Sequence, residues 1–462
     1  MKTPNKINAA YITHVLSQAV NIMRAQHSVG ESIECVSKLL LLKRLIDQQP
    51  GMNSGNFSLE AVNLSEAISK LTADLEKHDP ALEGVFVSSE ANFWNRFSDE
   101  ILQQVMQLLD ELDLSPTNLT NANDLGQAYE NFIEKYAEIE RFQREVYTPV
   151  QVCRLLVELT RLEQVTSIYD PACGSGELLA AAVAYIQRSK GETAEIAVFG
   201  QTPIEQGQTI AKINLMLHGI HHPDIRLGNN ILSPRFVANN QPMLFDIALA
   251  NPPFGLKRSP EVLIDAKWSD RSPDGVPRNG SDRVYLYIQH VLASLKPNGK
   301  AAMILPRGVL FRHSEERIRK QLIEADQIEA VIELAPKLFR STSIPVVVMV
   351  FNKNKIHKRR ILLIDASHEY ETGKGRNRLS PEQVDHIVST YHDFSETEFS
   401  KLVSIEEIEA NIYDLTIDRY IKQKQEEFDI TAEIEQLRRL DTRQIELEES
   451  MGNHLRKLGI KL

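Results

Sequence analysis

Phe245-Asp246-Ile247-Ala248-Leu249-Ala250-Asn251-Pro252-Pro253-Phe254-Gly255 is the stretch from which the fold is read. Phe245 to Leu249 is a short apolar run of the kind that forms a buried strand. Two consecutive prolines cannot extend it, because neither donates to a ladder and each ring restricts the residue before it. The strand therefore stops, and Asn251 and Phe254 sit on a rigid loop at its carboxyl end, the edge where open parallel sheets bind ligands. The Asn251 side-chain oxygen and the Pro252 carbonyl make paired acceptors for a primary amine, and Phe254 offers a flat face to a nucleobase. Two acceptors drawing the amine hydrogens aside would aim its lone pair at an electrophile, which is catalysis by orientation. A plain turn competes with this reading, since Asn-Pro pairs commonly start turns.

Upstream, Ser167-Ile168-Tyr169-Asp170-Pro171-Ala172-Cys173-Gly174-Ser175-Gly176-Glu177-Leu178-Leu179 reads as strand, turn of small residues, then helix. Gly174 and Gly176 allow close backbone approach, and the helix start offers amides to a negative group. The Gly-Lys-Ser/Thr ending of a phosphate loop is missing, as is the three-glycine dinucleotide pattern. A turn without that machinery suits an amino-acid-type cofactor such as S-adenosylmethionine. Cys173 has no helper histidine nearby and reads as a small side chain packed under the turn. The next strand, Ile196 to Gly200, ends at Gln201-Thr202-Pro203-Ile204-Glu205. An acidic ribose-binding residue is usual at this point, but here there is Thr202. Thr202, Pro203 and Glu205 are spaced as a capping box, while Glu205 bending back to a ribose is the alternative. Before the first strand, Tyr147, Thr148 and Pro149 precede a helical run; Thr148 either caps it or meets a small-molecule carboxylate. Asn229, at the end of Ile225-Arg226-Leu227-Gly228, either pairs with a cofactor base or is a turn residue.

The 462 residues exceed one core, and 42% hydrophobic with 25% charged content is ordinary for a globular chain. Without an apolar run of membrane length or a signal-type start, the expected location is the cytoplasm, with no membrane association. Cys35, Cys153 and Cys173 are odd in number and widely spaced, so neither disulfides nor a metal site is expected. A net charge of −11 is unusual for strong unaided DNA binding, so a DNA substrate would be gripped largely through a partner.

Helical spacing from Tyr11 onward predicts an all-helical domain over 1–115, with Trp94 and Phe97 in its core. Alternating strands and helices predict an α/β doubly wound domain over 116–425, and apolar residues near heptad spacing a helical tail over 426–462 for partner contact, with folding back on the N-terminal helices as the alternative. Residues 256–282 read as an irregular insertion suited to a lid or a DNA-contacting loop, and 366–427 as polar and irregular. His221-His222 reads as surface loop.

Taken in order, Leu39-Leu40-Leu41-Leu42-Lys43-Arg44-Leu45, Tyr147-Thr148-Pro149, Asp170 to Gly176, Ala211-Lys212-Ile213-Asn214-Leu215, Asn251 to Gly255, Leu305-Pro306-Arg307-Gly308-Val309-Leu310-Phe311, Ile364-Asp365-Ala366-Ser367 and Asp418-Arg419-Tyr420-Ile421 resemble the modification subunit of type I restriction–modification systems. The resemblance covers most of the chain. It implies a Rossmann-like methyltransferase that moves a methyl group from S-adenosylmethionine to adenine N6 in DNA, on a base flipped from the duplex. On that likeness Asn251, Pro252, Pro253 and Phe254 form the catalytic element. Tyr147, Thr148, Pro149, Asp170, Pro171, Ala172, Cys173, Gly174, Ser175, Gly176, Glu177, Thr202 and Asn229 line the cofactor site, and no metal is needed. It also implies a separate specificity subunit flanked by two modification subunits, and a motor-nuclease restriction subunit that can join them. Three positions depart from the family pattern: Thr202 in place of an acid, Glu177 where a glycine is usual, and Val150 where arginine is common. A lost ribose carboxylate costs ~1–3 kcal/mol, so weak cofactor binding by the lone chain is expected. The rival expectation is an assembly subunit of the same fold with a decayed cofactor site.

Overall fold

A computed structural model describes residues 6–48, 63–87, 93–121, 123–137, 147–161, 165–191, 196–239, 241–255, 284–339, 344–373, 376–421 and 430–457. The apolar spacing of the first third produces α1 (Ala9–Met23), α2 (Val29–Asp47), α3 (Leu64–His78), α4 (Asp99–Asp110) and α5 (Asp124–Ala137). A Ser28–Glu31 capping box starts α2, and Asn8 and Ser98 cap α1 and α4. Their inward faces form one core that includes Trp94, Phe97 and Tyr129.

The α/β region begins with α6 (Val150–Thr160), β1 (Ser167–Asp170), α7 (Glu177–Lys190), β2 (Ala197–Thr202), α8 (Glu205–Leu217) and β3 (Asp224–Leu227). A small hairpin, β4 (Val237–Ala238) and β5 (Gln241–Pro242), precedes β6 (Phe245–Ala250), α9 (Val284–Ala293) and β7 (Leu295–Pro306). After these come α10 (Glu316–Glu324), β8 (Ile328–Leu334), β9 (Val346–Asn352), β10 (Arg360–Ala366), the hairpin β11 (Glu371–Thr372) and β12 (Asn377–Arg378), α11 (Pro381–Asp393), β13 (Ser400–Ser404) and α12 (Ile405–Ala410). The main sheet runs β13-β10-β8-β9-β7-β6-β1-β2-β3. β9 is antiparallel to β7 and β8, β13 is antiparallel to β10, and the other pairings are parallel. Both faces are covered, so β8 and β9 are buried along their whole length; β9 reads as an apolar run up to Asn352, whereas β8 includes the buried Glu329 and Glu333. This is the α/β doubly wound architecture expected from the sequence.

The chain passes from β1 outward to β3 and then returns to β6 on the other side of β1. The crevice between the carboxyl ends of β1 and β6 is therefore the switch point at which such sheets bind ligands. At the opposite end, Asp246 binds the strands together, accepting from the backbone and hydroxyls of Thr166 and Ser167 and from Lys296 Nζ at 2.9 Å. Those donors hold its carboxyl far below the usual range, although burial opposes them.

Lys296 to Gly299 is a bulge inside β7, since Phe245 pairs with Leu295 and Ile247 with Lys300. One part of the sequence reading is corrected. Residues 366–427 are not irregular throughout, because they include α11, β13 and α12. The insertion read over 256–282 lies outside the described residues. No described helix is long and apolar enough to cross a membrane.

The chain divides into two compact units, Met1–Tyr420 and Ile421–Leu462. The second contains α13 (Ile430–Lys457), on which Leu437, Leu440, Leu447 and Met451 are exposed.

Gly200 in β2 lies beneath the glycine turn; a Cβ there would meet Cys173 Sγ at 2.9 Å and Ile225 Cδ1 at 2.7 Å. Gly200→Ala is expected to destabilise the fold by ~1–3 kcal/mol, as overpacking does, measured by urea unfolding of the purified chain.

Candidate active site

At the β1 end, Asp170 Oδ1 accepts from Ala172 N at 2.8 Å and closes the first bend. Gly174 (φ 50°) and Gly176 (φ 85°) both take the left-handed conformation, and Gly176 caps α7. A Cβ on Gly176 would lie 3.3 Å from the Ala211 Cα, so the turn presses against α8. Asn214 Nδ2 holds that turn through the Ser175 carbonyl at 3.2 Å. Cys173 is buried under the turn, as its sequence context predicts.

Across the crevice, β6 delivers Asn251, which is buried, and its Nδ2 donates to Thr148 Oγ1 at 2.9 Å. The bond turns the amide nitrogen toward Thr148 and the oxygen away from it. Pro149, not Thr148, is the capping residue of α6, and no side chain caps it. Thr148 is thus occupied with Asn251 rather than with the helix.

One cleft contains residues from both sides. Asp170, Pro171, Ala172, Cys173, Gly174 and Glu177 line it from the glycine turn and the start of α7. Thr148, Asn229, Asn251 and Pro253 line it from the other elements. The remaining sequence candidates are not in its lining: Tyr147, Pro149, Ser175, Gly176, Thr202, Pro252 and Phe254. Phe254 is half-buried and packs against the sheet core, and Tyr147 packs against the helical core. Leu178, Pro203, Asn230 and Tyr287 line the cleft and were missed by the sequence reading. Their neighbours were the available signal: Leu178, Pro203 and Asn230 each adjoin a residue that was singled out.

Thr202 is fully buried at the end of β2, and its Oγ1 accepts from Ile204 N at 3.4 Å. The expected capping box does not form, since α8 starts at Glu205 with Ile204 as cap and no side-chain bond. Asn229 Oδ1 accepts from the amides of Ile231 and Leu232, the bonding of a turn residue. Gln201 supports this loop from below through the Gly228 and Ser233 carbonyls and the Arg235 amide. Asn230 donates to Tyr169 Oη at 2.7 Å beside buried His290. His221 and His222 are exposed, as read.

Glu177 supplies the site's unusual electrostatics. Burial pushes its carboxyl up to about 7 against a hydrogen bond from Ser175, and nearby Glu130 raises it further. Glu130 is likewise raised to about 7, by burial and by Glu134. Burial lowers the pKa of His218, whose Nε2 lies 3.6 Å from Glu130, so that ring gives little charge compensation. The cleft's free interior is only about 50 Å³, and Glu177 stands in its lining. Ordinary ligand pockets offer about 300–1,000 Å³.

A doubly wound sheet with a glycine turn after its first strand and an Asn-Pro-Pro-Phe loop across the switch point defines an α/β methyltransferase. Comparison with known proteins makes the assignment more specific. Residues 120–429 match the N-6 DNA Methylase family, and the chain belongs to that family. It is 31% identical over 416 residues to the type I restriction enzyme MjaVII methylase subunit of Methanocaldococcus jannaschii, covering 85% of this chain and 69% of that one. The MjaVIII methylase subunit of the same organism is 32% identical over 78% of this chain and 63% of its own length. The chain thus matches about two thirds of the length of these relatives. A crystal structure of a type I restriction–modification methyltransferase subunit from Streptococcus thermophilus has the same fold, with a TM-score of 0.77 at 24% identity, covering 90% of this chain and all of that one.

A carboxyl with its pKa raised from 4.5 to about 7 costs no stability below pH 4.5, and the cost grows as pH rises toward 7. Glu177→Gln is therefore expected to stabilise the chain at pH 8 by at least about 1 kcal/mol and to change it little at pH 4.5. Thermal unfolding of both forms across that range measures the difference.

Proposed function

We propose that the chain transfers a methyl group from S-adenosylmethionine to N6 of adenine in DNA, as the modification subunit of a type I restriction–modification complex. The observation that carries this reading is the position of Asn251, which shares one cleft with the glycine turn and is oriented by Thr148. With its nitrogen committed to Thr148, Asn251 presents its oxygen as the acceptor for one N6 hydrogen, and the Pro252 carbonyl takes the other. Pinning both hydrogens orients the amine lone pair for attack. Phe254 stacks on the flipped base, a contact worth ~1–3 kcal/mol. The paired left-handed glycines and the polar groups of Asp170 and Asn229 fit the backbone-cradled cofactor of this fold, and Glu177 narrows the space it would enter. When bound, S-adenosylmethionine supplies a methyl group on a positively charged sulfur, which departs as a neutral thioether.

The net charge of −11 supports a division of labour. A separate specificity subunit reads the DNA and supplies much of the phosphate grip, flanked by two modification subunits, and a restriction subunit joins for cleavage. The expected location is the cytoplasm.

Two observations favour a second reading, an assembly subunit without activity: Thr202 is buried and is not in the cleft's lining, and the cleft is narrow. Tritiated methyl transfer to DNA by the chain copurified with its specificity subunit decides between them. Methylation at N6 is expected, and Asn251→Ala should reduce it by about 100-fold or more; no transfer by the unaltered complex would leave the assembly reading. Calorimetry of the lone chain is expected to show S-adenosylmethionine binding weaker than low micromolar. Glu177→Gly should tighten it by opening the cleft.

A further inference from the structure

A second cavity, of about 430 Å³, adjoins the first turn of α6. Its walls come from four places in the chain: Lys135 on α5, Gln151 at the start of α6, Leu338 in the loop after β8, and Arg376 with Arg378 on the β11–β12 hairpin. The hairpin is anchored to that loop by Asn377, whose amide nitrogen donates to the Lys337 carbonyl and whose side chain donates to the Pro336 carbonyl.

Three features give the cavity a ligand preference. The amides of Val150 and Gln151 lead an 11-residue helix and carry its positive dipole end, while those of Val152 and Cys153 already donate to the Pro149 carbonyl. Arg376 is about nine-tenths buried; its Nη2 donates to Glu134 at 2.5 Å, while its Nε has no hydrogen-bond partner among the described residues. The Gln151 side-chain oxygen is buried and lacks a partner in the same sense. A half-turn of that amide would present its NH2 group instead. Among the described residues of the lining, Glu134 is the one acid, against Lys135, Arg376 and Arg378. A guanidinium whose ion pair leaves a donor over, beside a helix start and a cationic excess, is built to receive an oxyanion.

We infer that this cavity is a phosphate-binding subsite. The inference rests on the methyltransferase reading for its setting: Thr148, which holds Asn251, immediately precedes the α6 turn that lines the cavity. Phosphate reaches it either as a backbone phosphate of the DNA strand carrying the target base or as a free phosphate compound.

Thermal unfolding of the full chain in inorganic phosphate, against chloride at equal ionic strength, tests the subsite. Phosphate at millimolar concentration should raise the melting temperature of the unaltered chain. Arg376→Lys, which keeps the charge opposite Glu134 but removes the planar fork, and Gln151→Glu, which adds a negative charge, should each weaken that response by about tenfold in phosphate concentration. Asn251→Ala should leave it unchanged, so failure of the catalytic reading and failure of the subsite are separable. Fluorescence polarisation with a duplex oligonucleotide identifies the source. Weaker DNA binding in both variants points to a backbone phosphate, and unchanged DNA binding with a lost phosphate response points to a free compound. A phosphate response no larger than that to chloride, or one equal in the variants, overturns the inference.

Discussion

The hydrogen bond from Asn251 Nδ2 to Thr148 Oγ1 connects elements 103 residues apart in the chain. It is buried, so losing either partner would cost more than the bond's net contribution, because the other would be left desolvated. An asparagine amide can face a ligand with either end, and in this arrangement the nitrogen is the end that faces the threonine hydroxyl. The α6 start, the end of β6 and the glycine turn then share one cleft with a defined set of donors and acceptors. A bare Asn-Pro turn would terminate the strand equally well but would not orient the side chain.

The departures from the family pattern act together on the other half of that cleft. Where an acid would accept from a ribose, Thr202 is buried and bonded to its own turn. Where a glycine would leave space, Glu177 places a carboxyl among Ser175 and Glu130. The second change adds a carboxyl near the site without replacing the first. Its carboxyl sits at the start of α7, not at the end of β2, and burial favours its neutral form. The cleft is therefore narrower and closer to neutral than an acid at 202 with a glycine at 177 would make it.

The parts legible in the sequence were those in which a local rule and the global fold agree. Phe245 to Pro253 is a strand ended by prolines, and Gly174 and Gly176 needed the backbone freedom they were read to have. Thr148 was legible as a residue of interest but not as Asn251's partner, because nothing local in a sequence reports a contact across 103 residues. Thr202-Pro203-Glu205 illustrates the opposite failure. Its spacing satisfies a capping rule, yet sheet pairing extends β2 through Thr202 and removes that residue from the helix end. The region after residue 366 was readable and was missed. Ser380-Pro381-Glu382-Gln383 is a capping box with proline at the first helical position, and Val384, Ile387, Val388 and Tyr391 follow at helical spacing.

Helix α8 explains why the N-terminal helices matter to a site they do not enter. Ala211 and Leu215 face the sheet core, whereas Ile210, Ile213 and Leu217 belong to the helical core. The helix is buried on two sides, so even the polar Lys212 and Asn214 are buried. Burial lowers the pKa of Lys212, whose Nζ donates to the Glu83 carbonyl at 2.6 Å. Thr209 donates to the Gly84 carbonyl and Gln206 to the Gly30 carbonyl. The same helix contacts the glycine turn, through Asn214 to Ser175 and through Ala211 beneath Gly176. A shift of the helical layer against the sheet must break those polar bonds or carry α8 along with it. If α8 moves, the backbone at 174–176 loses the surface that holds its left-handed residues in place. The helical region is thus a structural condition for the glycine turn, although none of the described residues that line the cleft comes from it.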